Sequence, residues 1–117
     1  MIRQIIWIGS SLKDLRDFPI AIKDEIGYIL YLIQIGEHHQ KIKPLKGFPG
    51  GVKEIKSDYD KDTFRAVYAA KIDDDIYVLH TFKKKSKKGI KTPKEDIEII
   101  KQRLKRAQEI ARLKEDK

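Results

Sequence analysis

Arg65, Lys83 and Lys84 are the residues whose types and spacing first suggest chemistry. An arginine presents a planar fork of donors that matches two oxygens of one phosphate, and a lysine adds a compact positive charge beside it. Arg65 is a charged guest in the otherwise apolar segment FRAVY. Lys83 and Lys84 open a stretch, residues 83–91, in which six of nine residues are lysine and none is acidic. Such a field attracts phosphates or an acidic protein, with a solvated basic loop as the plainer alternative. Crowded lysines disfavour one another's charge, which makes Lys53, Lys83 and Lys84 candidates for proton transfer nearer neutrality. Glu54 and His80 are alternative bases. Each also has a structural reading: Glu54 as the partner that holds Arg65 across neighbouring strands, His80 as a buried, hydrogen-bonded histidine. His38 and His39 are adjacent and would point about 100° apart on a helix, so they do not make the usual metal pair. With no cysteine and three histidines, neither a disulfide nor a metal site is expected, and no cofactor.

The elements that must position these residues follow from periodicity. Phe64, Ala66, Tyr68, Ala70 and Ile72 alternate with Arg65, Val67, Ala69 and Lys71; Ile76, Val78, His80 and Phe82 alternate with Tyr77, Leu79, Thr81 and Lys83. This predicts a β-hairpin turning at Asp73–Asp75, with His80 on the face of Ile76, Val78 and Phe82. Ile2–Ile8 reads as a strand inside a sheet. Ser11 with Asp14 marks a short helix. Pro19 opens a second one, whose stripe is Ile22, Ile26, Ile29, Leu30 and Ile33 and whose stop is Gly36. Tyr28, Tyr31 and Leu32 widen its apolar surface, and core packing is the preferred reading over a face kept for a partner. Residues 37–51 read as a loop without regular structure, Val52–Lys56 as a short strand, and Ser57–Asp62 as a turn. Thr92, Pro93 and Glu95 combine cap hydroxyl, first-turn proline and capping-box carboxylate. The helix they start carries the stripe Ile97, Ile100, Leu104, Ala107 and Ala111, with Arg103, Lys105, Arg106 and Arg112 outside it. The order is β-α-α-β-β-β-α, an α+β fold with helices against one face of a small sheet.

A chain of 117 residues, 40% hydrophobic, supports a single domain over residues 1–117. Residues 1–82 carry twelve basic and twelve acidic side chains, and residues 83–117 carry fourteen and six, so the net charge of +8 lies in the last third. No stretch approaches a membrane span and the N-terminus lacks a signal-peptide pattern, so a soluble cytoplasmic protein is expected.

Three segments then carry a resemblance: KPLKGFPGGVKEIK, FRAVY, and IYVLHTFKKKSKKGIKTP. In this order they resemble the phage-derived, HigB-like branch of the RelE/ParE toxin superfamily over nearly the whole chain, most specifically in LHTFKKKSKKGIKTP. The resemblance implies a RelE-like fold with a mostly antiparallel sheet, two N-terminal helices and a C-terminal helix. It implies the toxin of a type II toxin–antitoxin system, acting as a metal-independent, ribosome-dependent mRNA endoribonuclease that inhibits translation. The implied partners are a cognate antitoxin of helix-turn-helix type and mRNA on the ribosome. In such chemistry the RNA 2′-hydroxyl attacks the adjacent phosphate, and the enzyme removes a proton, steadies negative charge and protonates the leaving oxygen. Arg65, Lys83 and Lys84 are the first candidates, Lys53, Glu54 and His80 the next, and Lys43, Lys46, Lys85, Lys87 and Lys88 the expected RNA contacts. The superfamily places its site on the sheet face opposite the main helices. Some branches carry a C-terminal His or Tyr where this chain has Lys117, so the resemblance supplies no dedicated general acid. Two other classes remain open: a ParE-like, non-enzymatic inhibitor of DNA gyrase, and a basic RNA-binding module without catalysis.

Overall fold

The computed structural model describes residues 2–72, 74–84 and 92–115. Strand β1 (Ile5–Trp7) leads into helices α1 (Ser11–Arg16) and α2 (Ile20–Gln34), then strands β2 (Ile42–Pro44), β3 (Val52–Tyr59), β4 (Asp62–Ala69) and β5 (Ile76–Lys84), and helix α3 (Lys94–Glu115). The fold is α+β, with one five-stranded sheet in the order β1-β5-β4-β3-β2. All neighbours are antiparallel except β1 and β5, which run parallel with Ile5 opposite Ile76 and Trp7 opposite Val78.

Alternation in β4 divides the sheet into two apolar faces. Phe64, Ala66 and Tyr68 pack with Leu15 of α1 and with Ile22, Ile26, Ile29, Leu30 and Ile33 of α2. Val67 and Ala69 pack with Ile100, Leu104, Ala107 and Ala111 of α3. The helices therefore cover both faces, and the expectation that they lie against one face is corrected. Both faces of β4 are apolar enough to demand cover, so a single helical layer would leave one wet.

Four further expectations are revised. The predicted loop 37–51 contains β2, a three-residue edge strand too short to show a period, in which Ile42 is buried opposite Ile55. β3 runs on to Tyr59, and its hairpin to β4 turns at Asp60 and Lys61, both with positive φ (48° and 72°), as a type I′ turn requires. Tyr28 and Tyr31 lie on the outside of α2, 57% and 48% exposed, so the core reading of these two fails. Finally α3 begins one residue later than predicted: the Pro93 carbonyl accepts the first helical bond from the Ile97 N–H at 3.0 Å.

Helix α1 is stitched to β5. Ser10 occupies its N-cap, donating to Asp14 Oδ2 at 2.7 Å, while the Ser11 hydroxyl donates to the Val78 carbonyl at 3.0 Å. Thr81 Oγ1 returns a bond to the Ser11 carbonyl at 2.6 Å. On the other side of the core, Lys41 and Ser57 both bond Glu25 of α2 and hold its carboxyl below the usual range. Among the described residues no helix is long and apolar enough to cross a membrane.

Candidate active site

The α3 side of the sheet carries a cluster of charged residues where an apolar surface would be expected. Arg65 (4% exposed), Glu54 and Lys84 are all buried. Glu54 on β3 and Arg65 on β4 are diagonal neighbours, and the Arg65 Nη1 donates to both Glu54 oxygens at 3.1 and 3.0 Å. It also lies 3.5 Å from Thr92 Oγ1, just ahead of α3. The Arg65 Nε is buried and, among the described residues, has no acceptor. Lys56 lies opposite Arg65 across β3 and β4, and its charge faces the cluster. Burial, then the Arg65 and Lys56 charges, push the Lys84 ammonium below its ordinary pKa, with Glu54 opposing them. Three cations around one carboxylate form a partly dehydrated seat for an anion, where electrostatic interactions are stronger than in water.

A bulge decides what else reaches this face. Tyr68 pairs with Val78 but Val67 pairs with His80, so Leu79 is the extra residue on β5. The alternation predicted for β5 is interrupted there: Ile76 and Val78 face α2, whereas His80 and Phe82 face the α3 side. Without the bulge His80 would point into the α2 core. Its ring stacks on Phe82, with centroids 4.6 Å apart. Its Nε2 lies 2.7 Å from Asp96 Oδ1 in the first turn of α3, and its Nδ1 lies 3.4 Å from Arg103 Nη1. Burial, the largest cause, lowers the His80 pKa, and with the lowering by Arg103 it outweighs the raising by Asp96 and Asp14. The neutral tautomer that satisfies both contacts donates from Nε2 to Asp96 and accepts at Nδ1.

Arg103 was expected outside the α3 stripe, yet it turns inward, donating to the Leu79 carbonyl and to Ser10 Oγ, each at 3.0 Å. It lies against Gly9, where an added Cβ would sit 2.6 Å from its Nε. A side chain at position 9 would displace it. The missing signal was Gly9 itself, which opens the space far away in sequence. Asp96, Lys56 and Thr92 are likewise members of this surface that sequence periodicity did not single out.

Of the six predicted catalytic residues, the structure brings Arg65, Glu54, Lys84 and His80 to one face. Lys53 and Lys83 lie on the other, since successive strand residues point opposite ways. Lys53 is level with Tyr68 on the α2 side. Lys83 reaches half-buried Asp62, 3.3 Å away, rather than the phosphate seat proposed for it and Lys84 jointly. Lys43, opposite Glu54, is exposed at the sheet edge on the cluster's face, and Lys46 is exposed in the loop after β2. Lys85, Lys87 and Lys88 lie outside the described residues.

Comparison with known proteins places this geometry in a family. No curated protein and no solved structure matches the chain. The family described as "Phage derived protein Gp49-like (DUF891)" matches residues 13–105, a span that runs from α1 through the sheet and its charged cluster into α3. The match covers most of the sequence, and the chain belongs to this phage-derived Gp49-like family, consistent with the toxin of a toxin–antitoxin pair.

Proposed function

We propose that this protein is a toxin that cuts mRNA on the ribosome without a metal ion, in the manner of the HigB-like branch of the RelE superfamily. The observation that carries the reading is the buried cluster of Arg65, Lys84 and Glu54 in a chain of a phage-derived family. The RNA 2′-hydroxyl gives its proton to solvent water as its oxygen attacks the adjacent phosphorus, the bond to the 5′-oxygen breaks, and a 2′,3′-cyclic phosphate and a free 5′-hydroxyl result. Arg65 faces the non-bridging oxygens, and one of them supplies the acceptor that its Nε lacks among the described residues. Glu54 holds the guanidinium in orientation. Lys84, with its lowered pKa, gives a proton to the leaving 5′-oxygen. The ribosome contributes the alignment of 2′-oxygen and phosphate, which a site this sparse needs from outside. His80, held between Asp96 and Arg103, braces the start of α3 against β5. The partner is an antitoxin whose acidic or amphipathic helix covers Arg65 and the basic segment after β5.

Primer extension on mRNA in a purified translation system tests the reading. Wild type is expected to give breaks only with ribosomes. Arg65→Ala and Lys84→Ala should each lower the cleavage rate on the order of 10²-fold or more, the usual cost of removing a transition-state donor. Arg65→Lys, which keeps the charge but not the fork, separates phosphate recognition from lost folding. Intact mRNA with wild type would overturn the proposal and make gyrase supercoiling the next assay.

A further inference from the structure

Lys53, turned away from Arg65, belongs to a second basic cleft on the opposite face of the sheet. The cleft, of about 230 Å³, lies between the end of α2 and strands β3 and β4, and is lined by Arg3, Glu37, His38, Lys53, Tyr68 and Lys71. A Schellman turn around Gly36 builds one wall, with Glu37 N–H bonded to the Leu32 carbonyl and Gly36 N–H to that of Ile33. Arg3 is anchored there by the Ala70 and Asp74 carbonyls at 2.7 and 2.9 Å, which use its donors without cancelling its charge. Lys71 crosses directly over Gly51: a Cβ on Gly51 would lie 2.6 Å from the Lys71 Cβ. Tyr68, 2% exposed, lines the cleft, and among the described residues its hydroxyl has no hydrogen-bond partner. Burial pushes that phenol up to about 12, against a smaller lowering by Arg3, so at neutral pH it is a donor.

We infer that this cleft binds a phosphate monoester, seated on the Tyr68 hydroxyl and held by Lys53, Lys71 and Arg3. Three permanent cations and His38 outnumber the one carboxylate, Glu37, so the cleft favours an anion. The Tyr68 hydroxyl opens on the cleft and, among the described residues, has no partner, so it can donate to an acceptor that enters there. A tetrahedral oxyanion can accept from Tyr68 and from more than one of the lining cations at once, whereas a planar carboxylate offers two oxygens in one plane. This site is separate from the Arg65 cluster, and the inference stands or falls independently of RNA cleavage.

The test is a ¹⁵N–¹H NMR titration of the full chain with inorganic phosphate, with a 5′-phosphorylated ribodinucleotide, and with the same dinucleotide bearing a 5′-hydroxyl. Both phosphate probes should shift the amides of Glu37, His38, Lys53 and Lys71 saturably, and the 5′-hydroxyl probe should leave them in place. Saturation by inorganic phosphate alone identifies a free-phosphate site; tighter binding of the dinucleotide identifies a nucleotide end. Tyr68→Phe should weaken binding about fivefold, the effect of one hydrogen bond. Lys53→Gln, at a half-buried position, should weaken it at least as much. The inference is overturned if the shifts appear only around Arg65 and Lys84, or if neither substitution changes the affinity. It is equally overturned if a hexaglutamate peptide moves the cleft amides and phosphate does not, which would mark a protein-binding surface.

Discussion

At the scale of single residues, the decisive property is that charged groups are buried while keeping specific neighbours. A proton donor must carry its proton, and the Lys84 ammonium loses it more easily than an unperturbed lysine because of burial, Arg65 and Lys56. Single-turnover cleavage on ribosomes is therefore expected to fall on the alkaline side at a pH below the ordinary lysine value of 10.5, and Lys84→Arg should remove that limb. His80 carries a pH dependence of stability instead. Its folded pKa lies below the unfolded 6.5, so the unfolded chain takes up the proton more readily. Its contribution is complete above 6.5 and is lost as pH falls through the folded value. Urea melts across the acidic and neutral range should show this decline, and His80→Gln should flatten it. Glu54 and Arg65 were legible as partners because cross-strand neighbours of opposite charge meet. Arg103 was not, because helical spacing places it off the apolar stripe and only the space at Gly9 draws it in.

Among the elements, the hairpin joining β3 and β4 shows why local signals can mislead. A type I′ turn favours Asn-Gly, and here Asp60 and Lys61 hold positive φ without a glycine. The turn was placed in the right polar segment, but its strands were drawn too short for want of that signature. Lys61→Gly is expected to stabilise the fold by about 1 kcal/mol, seen as a higher urea midpoint, because the left-handed strain disappears. The β5 bulge was equally invisible, since Tyr77, Val78, Leu79 and His80 suit either register, and only pairing with β4 selects one. By contrast, the α2 stripe was fully readable: all five of its predicted residues are buried.

Over the whole molecule, a twelve-to-twelve charge balance before residue 83 conceals a spatial division. The sheet separates the Arg65 cluster beneath α3 from the Lys53 cleft beside α2, so lysines close in sequence serve different faces. Composition revealed the excess charge, and a resemblance suggested its use. The layering of helices on both faces stayed hidden, because apolar residues on both sides of β4 do not say which helix covers each. Binding of single-stranded RNA should weaken steeply with salt, and Lys43→Gln should reduce the slope of log affinity against log salt by about 0.7 if that exposed lysine neutralises one phosphate. Fluorescence anisotropy at a series of salt concentrations measures this. The bonds tying α1 to β5 have one more consequence. β1 pairs with β5 only from Ile76 to Val78, which would leave the rest of that border able to recruit a strand from another molecule. Ser11 and Arg103 occupy the Val78 and Leu79 carbonyls along it. The same few side chains that brace the helices thus guard a sticky sheet margin against aggregation.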